Sequence, residues 1–378
     1  MSFAVRRASS ADIIGNGPAA LVAAIALARR EWKIKLITPP RRRPYQPRID
    51  VLGASALPVL LRLGLSIDEI HAVARPCPGS CSRWDTCDAH CHDYLTGPYG
   101  SAWAVDRPGL ETLLQYHVAK AGIALASDKD PTVSSDNDAA LTPEQHDGKW
   151  RILATGAVNS RSGLKSESEY DDRLIALVMY GRVDAGGEPL DARLLIEAAA
   201  DGWAYGIVGP GNRACLGVIT DAEALIGSTP HSLASRVLDA TTGIARLASK
   251  LNEPVSFHTF PVRCRWLPLN VAHNTLRLGD AQASFDPLAG RGLWSAIRMA
   301  EEMAMMLDAR PNRLALLEHR ARVSYQHYLT ERVSLYRAGR QRFGTGFWAR
   351  RYGLDTKHDS AHTNEARSKA NGALFQSV

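Results

Sequence analysis

The sequence lacks several features that would place a chain in another class of protein. It has no run of about 18 apolar residues, so no membrane-spanning helix is predicted. Residues 1–7 lead directly into a strand–glycine–helix pattern, without the apolar stretch and cleavage site of a signal peptide. The net charge of +6 comes without a nucleic-acid recognition motif. We therefore expect a cytoplasmic protein that binds neither membrane nor nucleic acid, with 378 residues enough for two domains.

Cysteine is also scarce, and its placement is uneven. Four of the six cysteines are crowded into one segment, as Cys77, Cys81, Cys87 and Cys91. Their C-x3-C-x5-C-x3-C spacing is not a familiar zinc pattern, although two histidines lie beside the last of them. A reducing cytosol opposes disulfide formation. We therefore expect free thiols here, and a disulfide or a metal site stays open as an alternative.

Basic residues are concentrated towards the carboxyl end. Residues 310–378 contain thirteen Lys or Arg and five Asp or Glu, a local balance of +8 against +6 for the whole chain. Such a stretch is most often the solvated face of a helix. Aromatic residues alternate with arginines there, as they do in interface anchors, so a docking face for an acidic partner is the alternative. That face would be built from Arg340, Arg342, Arg350 and Arg351.

The hydrophobic pattern begins with a β–α–β unit. It predicts a strand over 11–15, a helix over 18–30 and a strand over 33–38. The segment 75–99 is rich in Pro, Gly and Cys and is predicted to be irregular. Further strands are predicted at 149–153, 174–178, 214–219 and 275–278, and further helices at 54–64, 106–122, 292–307 and 313–337. This mixture of strands and helices indicates the α/β class.

A glycine motif joins the first predicted strand to the first predicted helix. Its residues are Gly15, Asn16, Gly17, Pro18, Ala19 and Ala20. In this position Gly15 allows a tight turn, and Gly17 lets the backbone approach a pyrophosphate at the helix N-terminus. Ala20 replaces the usual third glycine and still permits close packing of helix on strand. The sequence therefore predicts a dinucleotide site here.

One expected partner of that site is missing. An acidic residue usually ends the second strand and holds the ribose hydroxyls. This sequence has Thr38 there, followed by two prolines. A threonine hydroxyl can make one weaker hydrogen bond, so adenosine binding must depend on another group, for which Arg48 is the candidate.

A second motif follows the strand predicted at 275–278. It consists of Gly279 and Asp280, then 286–292, then a long helix. A carboxylate at a strand end can accept a hydrogen bond from a hydroxylated ligand chain, and a tight loop at a helix N-terminus stabilises negative charge. The loop and the start of the helix supply Pro287, Gly290, Arg291, Gly292 and Leu293 as candidate contacts.

With these motifs in place, the chain resembles the group A flavoprotein monooxygenases and the flavin-dependent halogenases. The glycine motif, the Asp106–Arg107 pair before a helix, residues 154–156 at a strand end and the 279–292 segment follow the order found in that family. The resemblance covers about residues 10–310. It implies FAD as cofactor, held at the motif residues already named and, by match, at Arg107, Thr155 and Gly156, with Arg48 near the cofactor.

The resemblance also implies an architecture. We expect a Rossmann-like FAD-binding domain of the glutathione-reductase type, with an inserted mixed-sheet substrate domain and a C-terminal helical segment. The expected FAD domain is discontinuous, at 1–75, 100–165 and 256–310. The substrate domain would take 76–99 and 166–255, and the helical region 311–378.

A narrower resemblance concerns the substrate. Residues 197–205, Thr220–Asp221 and Trp103–Arg107 look like flavoproteins that mature quinone-cofactor enzymes by hydroxylating a tryptophan inside a protein chain. This implies a protein partner, the small subunit of a quinone-cofactor enzyme, together with molecular oxygen and a reductant such as NAD(P)H. The ring would be hydroxylated through a flavin hydroperoxide. A small-molecule aromatic hydroxylase and an FAD-bound maturation partner without turnover are the alternatives.

Halogenation is disfavoured by two features of the sequence. Halogenases use a lysine near the substrate, and this chain has no lysine between Lys35 and Lys120. Their Trp-x-Trp-x-Ile-Pro signature would fall on residues 203–208, where the second Trp is Tyr205 and the Pro is Val208. The sequence singles out no catalytic base, and His258 and His273 are predicted to be structural.

Overall fold

The structure is a computed structural model of the 378-residue chain. No helix in the part of the chain that it describes is both long and apolar enough to cross a membrane. The described residues are 9–39, 47–97, 99–127, 149–156, 168–170, 173–184, 186–187, 189–262, 264–269, 274–309, 311–344 and 346–352. His273 lies outside them.

A parallel five-stranded sheet forms one half of the molecule. Its order is β17-β9-β1-β2-β8. The strands are β1 (Ser10–Ile14), β2 (Lys33–Thr38), β8 (Ala124–Ser127), β9 (Trp150–Leu153) and β17 (Thr275–Arg277). The second strand has the predicted bounds, β1, β9 and β17 differ from theirs by one residue at one end or both, and β8 was not predicted. Because all neighbours are parallel, the carboxyl ends of the strands meet at one edge.

Helix α1 (Pro18–Ala28) follows β1 and is buried along its whole length. Its neighbours are α4 (Arg107–Lys120) and α7 (Gly292–Ala309), which pack on it from two sides. Small residues, mainly alanine, allow these helices to approach closely. This explains why α1 has apolar residues on every face instead of one.

A second half is built on a mixed seven-stranded sheet of order β15-β11-β14-β13-β12-β5-β6. Its strands are β5 (Gly79–Arg83), β6 (His90–Asp93), β11 (Leu174–Val183), β12 (Leu194–Ala199), β13 (Gly202–Val208), β14 (Arg213–Asp221) and β15 (Leu251–Pro261). The prediction of an irregular 75–99 segment was wrong, because β5 pairs in parallel with β12, far along the chain. That pairing cannot be read from local periodicity.

The pairing of β5 with β6 places two cysteines opposite each other. Cys81 and Cys91 are register partners and form a disulfide. The expectation of four free thiols was therefore wrong for this pair. Cys77 keeps its thiol, and burial raises the pKa of that thiol to about 11. No metal-binding group of His, Cys, Asp or Glu occurs among the described residues.

Two smaller sheets complete the strands. The first is antiparallel, of order β3-β7-β4, and carries the Asp106–Arg107 pair at its end. The second has order β10-β16-β18. Their strands are β3 (Ile49–Leu52), β4 (Ala74–Cys77), β7 (Ala102–Asp106), β10 (Ser168–Tyr170), β16 (Cys264–Trp266) and β18 (Ala283–Ser284).

The remaining helices cover the sheets. They are α2 (Leu57–Arg62), α3 (Ile67–Val73), α5 (Pro230–Asp239), α6 (Gly243–Ala248), α8 (Leu314–Phe343) and α9 (Phe347–Tyr352). One face of the seven-stranded sheet packs on α5 and α6. The other face shares a core with the β3-β7-β4 sheet, the second motif and α8–α9. The helix predicted at 54–64 begins with a 3-10 turn at Ala54–Ala56, and α8 runs six residues past its predicted end.

Candidate cofactor site

The turn between β1 and α1 requires glycine at its first position. Gly15 has φ +148°, and a Cβ there would lie 2.3 Å from the carbonyl oxygen of Ala154. The Gly15 N–H donates to the Ile37 carbonyl at 2.9 Å. A side chain would therefore push apart the ends of neighbouring strands at the sheet edge where ligands bind in this class of fold. Ala20 is fully buried beneath the turn, as close helix–strand packing requires.

The N-terminus of α1 is left open. Gly17 caps the helix without a side-chain hydrogen bond, and a Cβ on Gly17 would meet no atom within 4 Å. The first-turn N–H groups of an α-helix have no partner within the helix and attract anions. Pro18 begins the helix, and Asn16 lies in the turn before it. This open end fits a pyrophosphate in both space and charge.

The second motif meets the first at the same edge of the parallel sheet. Gly279 follows β17 with φ +58°, and a Cβ there would lie 3.1 Å from that of Ala19 on α1 and 3.6 Å from that of Ala296 on α7. Only glycine combines this backbone angle with such a close approach. Two segments that are 260 residues apart in the sequence are thus brought into contact.

Asp280 lies beside this contact with its side chain open to solvent. Within the described chain, its carboxylate accepts no hydrogen bond. Partial desolvation raises the pKa of Asp280, while the charges of Arg48 and Arg107 oppose the increase. A carboxylate that is partly desolvated and unpaired is suited to accept a hydrogen bond from a ligand hydroxyl.

The two predicted arginines converge on one acid. Arg107 donates to Asp50 at 2.6 Å and to Glu111 at 2.9 Å, and Arg48 Nε lies 3.2 Å from Asp50. Burial alone would raise the pKa of Asp50, but the two arginines outweigh it and lower that pKa. The backbone N–H of Arg107 also donates to the Arg48 carbonyl at 3.1 Å. The structure therefore fixes both guanidinium groups in the neighbourhood of Asp280.

The loop before α7 is shaped by its own first residue. Asp286 accepts a hydrogen bond from the Leu288 N–H at 2.9 Å, which closes a turn over Pro287. Gly290 then adopts the left-handed conformation at φ +58°. At Gly292, the first residue of α7, a Cβ would meet no atom within 4 Å. This helix N-terminus is therefore open in the same way as that of α1.

Other predicted contacts are less directly placed. Arg291 is buried and pairs with Glu331 of α8 at 2.8 Å, and Leu293 is in the core. The Thr38 hydroxyl donates to the Ala126 carbonyl at 3.4 Å, so its donor is already engaged. Thr155 and Gly156 follow β9, next to β1, and a Cβ on Gly156 would meet open space. The cofactor roles of these residues stay predictions.

The sequence did not indicate that the carboxyl-terminal helices are anchored by buried polar groups. Asp221, at the end of β14, pairs with both Arg350 and Arg351. Arg342 donates to the carbonyls of Arg83 and Trp84 at 3.2 and 3.1 Å. Each of these three arginines helps to hold the tail against the seven-stranded sheet, and the docking face for an acidic partner stays a prediction.

The residues behind the narrower resemblance also have internal roles. Glu197, 2% exposed, accepts hydrogen bonds from the N–H groups of Thr242, Gly243 and Ile244 at the start of α6. The indole of Trp203 is fully enclosed in the core. The described contacts of these two residues are therefore internal to the seven-stranded half.

Comparison with known proteins agrees with this architecture. No protein-family model matches the sequence, and no curated protein matches it. Solved structures do match. CmlS, a flavin-dependent halogenase, is 18% identical with a TM-score of 0.75, over 97% of this chain and 70% of that one. The fold is the one that these flavoenzymes share.

Two further neighbours differ in what they act on. QhpG, a peptidyl tryptophan dihydroxylase essential for tryptophylquinone cofactor biogenesis, is 19% identical with a TM-score of 0.63, over 91% of this chain and 79% of that one. PqsL of Pseudomonas aeruginosa, solved in complex with 2-aminobenzoylacetate, is 19% identical with a TM-score of 0.69, over 89% of this chain and 98% of that one. At these identities the likeness establishes the fold and not the reaction.

Proposed function

We propose that this chain is an FAD-dependent monooxygenase that hydroxylates an aromatic ring. The observation that carries the proposal is the meeting of two glycine motifs at one edge of the parallel sheet, where Gly279 contacts Ala19. The open N-terminus of α1 would hold the pyrophosphate, and Asp280 would accept a hydrogen bond from a ribityl hydroxyl. The open N-terminus of α7 would face the flavin ring and stabilise its negative charge when reduced.

A monooxygenase of this kind requires little acid–base chemistry from its side chains. When bound, the reduced cofactor activates oxygen, and the protein positions the ring to be hydroxylated and excludes water. Molecular oxygen and a reductant such as NAD(P)H would be the co-substrates.

Cofactor binding is tested by reconstituting the apoprotein with FAD. Gly17→Trp should abolish binding, because the indole would fill the space over the α1 N-terminus while meeting no protein atom at its Cβ. Leu125→Trp is the matched control: it places the same side chain at an exposed position of the same sheet and should bind FAD normally. Tight FAD binding by Gly17→Trp would contradict the assignment of the α1 N-terminus as the pyrophosphate site.

We further propose that the ring is a tryptophan within a protein substrate, the small subunit of a quinone-cofactor enzyme. The resemblance around residues 197–205 and the structural likeness to QhpG support this choice. The internal roles of Glu197 and Trp203 reduce what those two residues contribute to it. The test is mass spectrometry of the candidate subunit after incubation with reduced enzyme and oxygen. Oxygen atoms gained on a tryptophan would support the proposal.

Two other reactions have a specific observation in their favour. The CmlS match favours halogenation, and it is tested by adding bromide to the same incubation and searching for a brominated product. The PqsL match spans nearly all of that chain and favours a small aromatic substrate. Efficient oxidation of a free aromatic compound, with no mass gain on any protein, would end the peptidyl-tryptophan proposal.

A further inference from the structure

The carboxylate that shapes the second motif is itself held from outside that motif. Asp286 is 1% exposed, and one of its oxygens closes the turn at Leu288. Its other oxygen accepts a hydrogen bond from the Tyr336 hydroxyl at 2.6 Å and lies 3.4 Å from Arg332 Nε. Both partners belong to α8. The orientation of this loop therefore depends on a helix that the flavin motifs do not include.

Tyr336 joins this carboxylate to the seven-stranded half. Its hydroxyl donates to Asp286 and accepts a hydrogen bond from the indole N–H of Trp203 on β13 at 3.2 Å. Burial raises the pKa of Tyr336 well above its usual value, and the Asp286 charge raises it further, against the opposing effect of Arg332. The hydroxyl therefore stays protonated and keeps its role as donor over the whole useful pH range.

Helix α8 has other attachments that do not depend on this hydroxyl. The Tyr328 hydroxyl accepts from the backbone N–H of Asp286 at 2.8 Å. The Trp84 indole donates to the Leu335 carbonyl at 2.8 Å. Arg342 binds two further carbonyls of the sheet half. Removing one hydroxyl should therefore leave the helix in place and affect mainly the carboxylate that it holds.

We propose that Tyr336 is a positioning residue for the flavin end of the cofactor, acting through Asp286. The inference rests on the proposed function and extends it to a residue of the carboxyl-terminal helix. The hydroxyl fixes the Asp286 carboxylate, the carboxylate fixes the turn at Leu288, and that turn sets the loop in front of the α7 N-terminus. The adenylate end, at Gly15–Ala20, is not part of this chain of contacts.

The test compares a ligand that reaches both ends of the site with one that reaches a single end. Apoprotein with Tyr336→Phe is titrated with FAD and separately with ADP, and the visible circular dichroism of bound FAD is recorded. We expect the dissociation constant for FAD to rise about tenfold, as for loss of a hydrogen bond to a charged group, with an altered dichroism spectrum. The dissociation constant for ADP should not change.

Two further variants keep the result interpretable. Tyr325→Phe removes a buried hydroxyl from the same helix, where the ring packs on Trp266 and Phe285, and should leave both constants unchanged. Asp286→Asn keeps an acceptor for the turn but removes the charge that pairs with the buried Arg332, so it should give the Tyr336→Phe pattern more strongly, together with a loss of stability.

An equal loss of FAD and ADP affinity in Tyr336→Phe would mean general loosening and would overturn the inference. Unchanged FAD affinity and an unchanged spectrum would do the same. Failure of the unaltered protein to bind FAD would instead overturn the proposed function, and this inference with it.

Discussion

The two halves of the molecule are organised by different kinds of residue. In the parallel-sheet half, the decisive positions are glycines whose backbone angles and close approaches admit no side chain, such as Gly15 and Gly279. In the seven-stranded half, the decisive positions are buried acids, Glu197 and Asp221, each satisfied by groups distant in the sequence. Constrained glycines also occur in the second half, as at Gly202, so the contrast concerns the residues that form the candidate site and those that hold α6 and the tail in place.

This difference separates groups that are available to a ligand from groups that are already used. Gly17 and Asp280 leave a helix end and a carboxylate without a protein partner in the described chain. Glu197 and Asp221 have their oxygens occupied by backbone N–H groups and guanidinium groups. A buried charge must be paired to be tolerated, so a charged residue in a core is weak grounds for function unless its partner is missing.

The largest effect on the free energy of unfolding should come from removing the carboxylate of Asp221, which pairs with two arginines of the tail. Asp221→Ala leaves Arg351, 1% exposed, without its carboxylate. Removing one partner of a buried ion pair typically costs about 3–5 kcal/mol of the free energy of unfolding. We expect this loss in urea denaturation of the apoprotein, with the FAD dissociation constant of the folded fraction little changed.

The exposed pair Arg173–Glu223 provides the control for Asp221. Glu223→Ala should change the free energy of unfolding by less than about 1 kcal/mol, since exposed ion pairs contribute little. If Asp221→Ala cost no more free energy of unfolding than this control, the carboxyl-terminal arginines would not anchor the tail. That result would favour the interpretation of this segment as a docking face for an acidic partner.

An intermediate effect on the free energy of unfolding is expected at Glu197, where the substitution removes the charge and one acceptor oxygen but keeps the shape. Glu197→Gln keeps the shape but replaces one oxygen with an N–H₂ group that would face N–H donors at the start of α6. Hydrogen bonds to a charged acceptor are worth about 1.5–3 kcal/mol, so we expect a loss of about 2–3 kcal/mol in the free energy of unfolding. Glu223→Gln serves as the matched neutralisation at the surface, and an equal loss in both variants would contradict the internal role of Glu197.

The same division explains what the sequence could and could not predict. The β1–α1–β2 unit and its glycine motif are contiguous, and their periodicity and turn residues are local, so the bounds Lys33–Thr38 and the role of the turn at Gly15 could be read directly. The contact of Gly279 with Ala19 was not predicted, although the fold that the motifs implied places both motifs in one domain. Both belong to the half governed by backbone geometry.

Long-range pairing carries no such local signal. Strand β5 could not be recognised because its partner β12 begins more than a hundred residues later, and the Cys81–Cys91 disulfide follows from the register of β5 with β6. The arginines of the tail had the composition of a docking face, but their acid partner lies on β14. Composition gave the charge of that segment and not the direction in which it faces.

The smallest effect concerns the available acid of the parallel-sheet half, and it has a defined pH dependence. Asp280→Asn should weaken FAD binding about tenfold, or roughly 1.4 kcal/mol, because a neutral amide is the poorer acceptor for a ribityl hydroxyl. The pKa of Asp280 is raised above its usual 3.8 by desolvation, so FAD affinity of the unaltered protein should fall as the pH drops through that raised pKa.

Apoprotein stability should change in the opposite sense: the contribution of Asp280 is complete below pH 3.8 and is lost as the pH rises through the raised pKa. Asp280→Asn should flatten both profiles, as measured by FAD titration and denaturation of the apoprotein across that range. An unchanged dissociation constant would mean that the carboxylate does not reach the cofactor, and the open carboxylate of Asp280 would have to be explained in another way.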